Sequence, residues 1–148
     1  MNKVADILGI IPARYASSRF PGKPLAMIKG RPMIRWVYEQ ASGHFDHLVV
    51  ATDDHRIMEA VNQFGGNVLM TSRTHRSGTE RCAEGLRLYQ DWKKQKFSHV
   101  VNIQGDEPLI RKEQLIELTD CMEDTTVEIA TLIRPAHEDE VDNPHVVK

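Results

Sequence analysis

Short apolar or β-branched runs alternate with segments of helical period along this chain, and that alternation limits the fold more than any other feature. Ile7-Leu8-Gly9-Ile10-Ile11 is apolar on both faces, as a central strand of a parallel sheet must be. Ile34, Val37, Tyr38 and Ala41 then recur at i, i+3, i+4 and i+7, a helix that Pro32 can open and Gly43 can stop. Leu48 to Thr52 predicts a second strand, and Ile57, Ala60, Val61 and Phe64 a second helix closed by Gly65-Gly66. Val68-Leu69-Met70 is a short third strand. Ser77-Gly78-Thr79-Glu80 has the form of a capping box, with Ser77 accepting the N3 amide and Glu80 reaching back to the Ser77 amide. A helix carrying Cys82, Leu86 and Tyr89 should start there and run to about Lys93. Val100 to Ile103 is the next strand, Leu115, Leu118 and Met122 mark a helix, and Ile129 to Ile133 reads as one more strand. This order predicts an α/β fold: three layers, α/β/α, around a mostly parallel sheet.

The chain has 148 residues, enough for one sizeable core, and no linker or repeat divides it, so residues 1–148 are expected to form a single domain. A formal net charge of -2 argues against a broadly basic nucleic-acid-binding surface, so anion binding must be local. The two cysteines, Cys82 and Cys121, lack CxxC spacing and fall in helical segments; both they and the two tryptophans are expected in the core. No membrane span or signal peptide is apparent, which suggests a cytoplasmic protein without a membrane partner. Asp142 to Lys148 opens a new apolar run with no cap after it, as if the sequence stopped inside an element.

Chemistry concentrates where strands end. The first strand releases Pro12-Ala13-Arg14-Tyr15-Ala16-Ser17-Ser18-Arg19-Phe20-Pro21-Gly22-Lys23, a small-residue loop with three cations suited to phosphate. In a parallel sheet all such loops emerge at one edge, so Arg14, Lys23, Ser77, Arg81, Gln104 and Asp106 should converge. The loop carries neither a GxGxxG fingerprint nor a Walker-A pattern, which makes a dinucleotide-dependent oxidoreductase a distant reading. A triphosphate needs cations and a divalent metal, and Asp106 is the candidate metal ligand; Gly105 before it would let the ligand near the backbone. His75 is expected to be a solvated loop residue, Asp54 to cap the second helix, and Arg81 either to reach the ligand or to pair with a carboxylate.

Pro12-Ala13-Arg14 with Ser17, Arg19 and Pro21-Gly22-Lys23-Pro24-Leu25, then Ala51-Thr52-Asp53, Met70-Thr71, His75 with Ser77-Gly78-Thr79-Glu80-Arg81, and Val101 to Pro108 resemble the 3-deoxy-manno-octulosonate cytidylyltransferases. The resemblance implies a Rossmann-like nucleotide-diphospho-sugar transferase fold and the activation of 3-deoxy-manno-octulosonate (Kdo) by CTP, giving CMP-Kdo and pyrophosphate for lipopolysaccharide synthesis. It implies Mg²⁺ as cofactor and Asp106 as its ligand. Pro12, Ala13, Arg14, Lys23, Ser77, Gly78, Arg81 and Gln104 would bind nucleotide, Gln104 and Asp106 the sugar acid, and Arg14, Lys23 and Asp106 would be catalytic. Family members are longer, and their remaining part supplies a second metal carboxylate, most sugar contacts and much of a homodimer interface. The chain is therefore expected to be a truncated nucleotide-binding half with little turnover of its own. A non-catalytic CTP-binding module and another CMP-sugar-acid synthetase are the alternatives.

Overall fold

A computed structural model describes residues 6–144. Its centre is a four-stranded sheet, all parallel, in the order β5-β4-β1-β6. The strands are β1 (Ile7–Ala13), β4 (His47–Thr52), β5 (Val68–Met70) and β6 (His99–Asn102). Before β4 a small antiparallel hairpin pairs β2 (Met27–Ile28) with β3 (Arg31–Pro32). Its two-residue turn places Lys29 at φ 49° and Gly30 at φ 79°, the left-handed pair that matches the twist of a hairpin.

Because side chains alternate across a strand, β1 feeds two cores. Ile7, Ile11 and Ala13 join Val50 and Val101 on one face, covered by α1 (Met33–Ser42) through Ile34, Val37 and Ala41, α2 (His55–Gln63) through Ile57 and Val61, and α4 (Lys112–Asp120) through Leu115. Leu8 and Ile10 join Val49 and Ala51 on the other, against Cys82 and Tyr89 of α3 (Gly78–Lys93). The three-layer α/β/α expectation holds. At Gly85 α3 packs on the sheet with room for a methyl group: a Cβ there would meet Ala51 and Ile10 at ordinary contact distances of 3.4 and 3.5 Å.

The helix boundaries follow local chemistry. Pro32 and Gly43 flank α1. Asp54 caps α2, accepting the Arg56 amide at 2.9 Å. Ser77 caps α3 by accepting the Glu80 amide at 3.1 Å, but the reciprocal half of the box differs. The Glu80 carboxylate takes the Arg76 amide at 2.7 Å, one residue upstream of Ser77.

Several expectations fail for tertiary reasons. Residues 129–133 form no strand; Ile129 and Ile133 are each 91% exposed. Apolar, β-branched sequence makes a strand only where a neighbouring backbone completes the ladder, and no sheet strand among the described residues pairs with this segment. Cys121 is exposed, on the 3-10 turn after α4, whereas Cys82 is buried and its thiol is pushed up to about 12 by desolvation. Trp92 is 51% exposed. It packs edge-on against Tyr89 and carries the Lys93 ammonium 3.8 Å from its ring centroid, while half-buried Trp36 donates Nε1–H to the Ile28 carbonyl. The end of the predicted terminal apolar run, residues 145–148, lies outside the described residues.

Candidate functional site

The loop after β1 is a closed structure. The Gly22 amide donates to the Tyr15 carbonyl at 2.8 Å, and Lys23–Leu25 then form a 3-10 turn started by Pro24. Gly22 sits at φ 70°, and a Cβ there would lie 2.8 Å from the Tyr15 ring. That ring is pinned from above by the Arg56 guanidinium, 3.3 Å from its centroid. Arg56 is itself held by Asp54, whose carboxyl lies below its ordinary range chiefly through the Arg56 side-chain hydrogen bond. One carboxylate thus caps α2 and braces the loop. Replacing Gly22 with Ala is expected to cost about 1–2 kcal/mol from the left-handed backbone alone, read as a lower urea midpoint.

The loop after β6 arrives beside it. Ile103 donates its amide to the Ile10 carbonyl at 2.8 Å, which extends the β6 pairing to the brink of the turn. A Cβ on Gly105 would lie 3.0 Å from the Pro12 carbonyl oxygen. Gly105 thus lets β1 approach closely, and it also lines the larger cavity at the strand edge. This close approach delivers Asp106 to Lys23: Nζ and Oδ2 are 2.8 Å apart, both side chains still open to solvent.

Two adjoining cavities mark the shared strand edge. The larger, about 560 Å³, is lined by Ser17, Arg19, Phe20, Lys23 and Asp106 together with Pro12, Ala13, Arg14 and Gln104. The smaller, about 190 Å³, shares those last four and adds His75, Arg76, Ser77, Gly78 and Arg81. Each site residue expected from sequence lines one cavity or both. Three cations line each cavity, Arg14, Arg19 and Lys23 with the Asp106 carboxylate in the larger and Arg14, Arg76 and Arg81 in the smaller; because Arg81 is tied to Asp53, the cations of the larger cavity are the ones left to face a polyphosphate.

Within this edge Arg81 has a defined place. Only 4% exposed, it donates to Asp53 Oδ2 at 3.0 Å, to Thr71 Oγ1 at 2.6 Å and to the Ser72 carbonyl at 3.1 Å. Its guanidinium is committed to tying β4, β5 and α3 together. Asp53 and Asp54 are accordingly occupied by Arg81 and Arg56 and do not form a pair for metal.

His75 is not a solvated loop residue. Its Nε2 lies 2.5 Å from Glu84 Oε2, and Glu84 also accepts the Ser72 amide at 2.9 Å. These bonds, the Ser72 amide first, hold the Glu84 carboxyl below its ordinary range. No local pattern marks this contact, because it depends on how the β5–α3 loop folds over α3.

Comparison with known proteins fits the geometry. The cytidylyltransferase family model matches residues 8–148. The chain belongs to the cytidylyltransferase family. It is 53% identical over 148 residues to a 3-deoxy-manno-octulosonate cytidylyltransferase of Bacteroides thetaiotaomicron, covering 95% of this chain and 57% of that protein. A protein of the same name from Phocaeicola vulgatus is 55% identical over 128 residues, 86% of this chain and 49% of its own length. Among solved structures, a CMP:2-keto-3-deoxy-manno-octonic acid synthetase complexed with CTP superposes with a TM-score of 0.74 at 43% identity, over 82% of this chain and 48% of that one. A cytidylyltransferase from Leptospira borgpetersenii, 21% identical over 80% of this chain and 50% of its own, shares the fold with a TM-score of 0.68. The chain spans about half the length of the curated relatives it matches. No helix among the described residues is long and apolar enough to cross a membrane.

Proposed function

We propose that residues 1–148 act as one CTP-binding unit of a cytidylyltransferase that activates Kdo, in the cytoplasm where CTP is made. The observation that carries this reading is the meeting of Lys23 and Asp106 across the larger cavity, 83 residues apart in sequence. A cation and a carboxylate meet there beside the smaller cavity, which supports reading the larger cavity as the triphosphate end and the smaller as the nucleoside end. Arg14, Arg19 and Lys23 would hold the triphosphate there. The anomeric hydroxyl oxygen of the sugar acid would then bond to the α-phosphorus as the bond to the β-phosphate oxygen breaks. Its proton leaves to solvent, and the chain's cations stabilise the charge gathering on pyrophosphate. Ser77 and Gly78, at the N-terminus of α3, and the Gln104 amide are suited to polar groups of the nucleoside and sugar.

A divalent cation fits one part of this donor set. Among the described residues no three His, Cys, Asp or Glu side chains form a cage. Mg²⁺ at a phosphate site, however, characteristically keeps water and takes one or two carboxylates plus phosphate oxygens. Asp106 is the residue that would hold it. When bound, such an ion would neutralise phosphate charge and favour displacement at phosphorus. A homodimer like that implied by the resemblance is part of the same proposal, for the whole protein.

Calorimetric titration with CTP and UTP, with and without Mg²⁺, tests the reading, followed by pyrophosphate release on adding Kdo. CTP is expected to bind about tenfold or more tightly than UTP, with release only when CTP, Kdo and Mg²⁺ are all present. Equal affinity for UTP, or equal release with sialic acid, would sink the assignment of substrates. Selective CTP binding without turnover would instead favour a non-catalytic CTP module.

A further inference from the structure

Glu84 stands on the second turn of α3 and lines neither cavity of the site, yet its carboxylate is bonded twice to the loop that does. It accepts the Ser72 amide at 2.9 Å and meets His75 Nε2 at 2.5 Å. One turn earlier, Glu80 Oε2 takes the Arg76 amide at 2.7 Å and lies 3.9 Å from His75 Nδ1. Two carboxylates at i and i+4 therefore grip the β5–α3 loop at Ser72, His75 and Arg76. An ionised carboxylate only accepts, so the imidazole must turn its Nε2–H to Glu84, and this fixes the ring that lines the smaller cavity. That cavity contains neither Lys23 nor Asp106, which belong to the larger one.

We propose that Glu84 is a positioning residue: acting through His75 and the Ser72 amide, it sets the face that the β5–α3 loop turns toward the nucleoside half of bound CTP. This rests on the reading of the cleft as a CTP site. Without Glu84, the imidazole and the adjoining backbone would have to be ordered at the moment of binding. Ordering the side chain together with the adjoining backbone at binding is expected to cost up to about tenfold in affinity. The triphosphate end should not register the change, since Arg14, Arg19 and Lys23 stand on the loop after β1, which neither Glu84 nor His75 bonds, and Lys23 is paired with Asp106.

The test is calorimetric titration of the unmodified chain, Glu84→Ala and Glu84→Gln with CTP and, separately, with inorganic triphosphate. Glu84→Ala is expected to raise the CTP dissociation constant about tenfold while triphosphate changes by less than about twofold. Glu84→Gln retains an acceptor for the Ser72 amide and should recover part of the loss. A general loosening of α3 would weaken both ligands together, and that result, or CTP affinity unchanged in Glu84→Ala, overturns the inference while leaving the CTP site in place. Failure of the unmodified chain to bind CTP would overturn the site reading and this inference with it.

Discussion

In the whole cytidylyltransferase proposed above, Asp106→Asn is expected to lower CTP- and Kdo-dependent pyrophosphate release by about 10²–10³-fold, the scale of losing one group that stabilises transition-state charge. Binding should show the same defect: Mg²⁺ should no longer strengthen the CTP affinity of the variant. The substitution keeps the shape of the side chain and one carbonyl oxygen but removes its charge. Stability should barely move, because Asp106 and Lys23 form an exposed ion pair, with side chains 48% and 41% accessible, and such pairs contribute about 0–1 kcal/mol. The decisive pattern is an unchanged urea midpoint with the Mg²⁺ response gone. Retention of both turnover and the Mg²⁺ response would remove Asp106 from the metal site and leave its contact with Lys23 as a surface ion pair.

The second large effect is on folding. Asp53→Ala is expected to destabilise the domain by about 3 kcal/mol, the lower end of the cost of breaking a buried pair. Arg81 is 4% accessible and Asp53 16%, so the alanine variant leaves a guanidinium buried without its counter-charge. Thr71 Oγ1 and the Ser72 carbonyl can still accept from Arg81, yet neither neutralises it. Urea denaturation measures the loss. A change below about 1 kcal/mol would mean that solvent reaches the guanidinium well enough to replace the carboxylate. The same variant should weaken CTP binding, since Arg81 anchors both ends of the β5–α3 loop.

Much of this was legible locally. The unbroken apolar run of β1 required a strand buried on both faces, and parallel strands between helices required their following loops to gather at one edge. Asp54 and Ser77 bounded helices because each accepts a first-turn amide that the helix leaves free, and Pro32 and Gly43 flank α1 as expected. The expected site residues line the cavities at that edge for the same reason: polar and cationic groups following a buried strand have few other places to be. The Lys29-Gly30 hairpin, by contrast, was missed because two-residue strands leave almost no periodicity.

The sequence by itself determined the alternation of strands and helices, their caps, and which loops share the ligand edge, because these depend on backbone geometry and burial within a few residues. Tertiary structure alone decided what depends on distant partners. It left residues 129–133 without a ladder and turned Trp92 outward. It assigned Gly105 to the Pro12 carbonyl, Arg81 to Asp53, His75 to Glu84 and Lys23 to Asp106. Arg81 and His75 carry hydrogen-bonding groups that must be matched where solvent is scarce, Gly105 meets a close backbone, and in every case the partner is chosen by where the chain brings it.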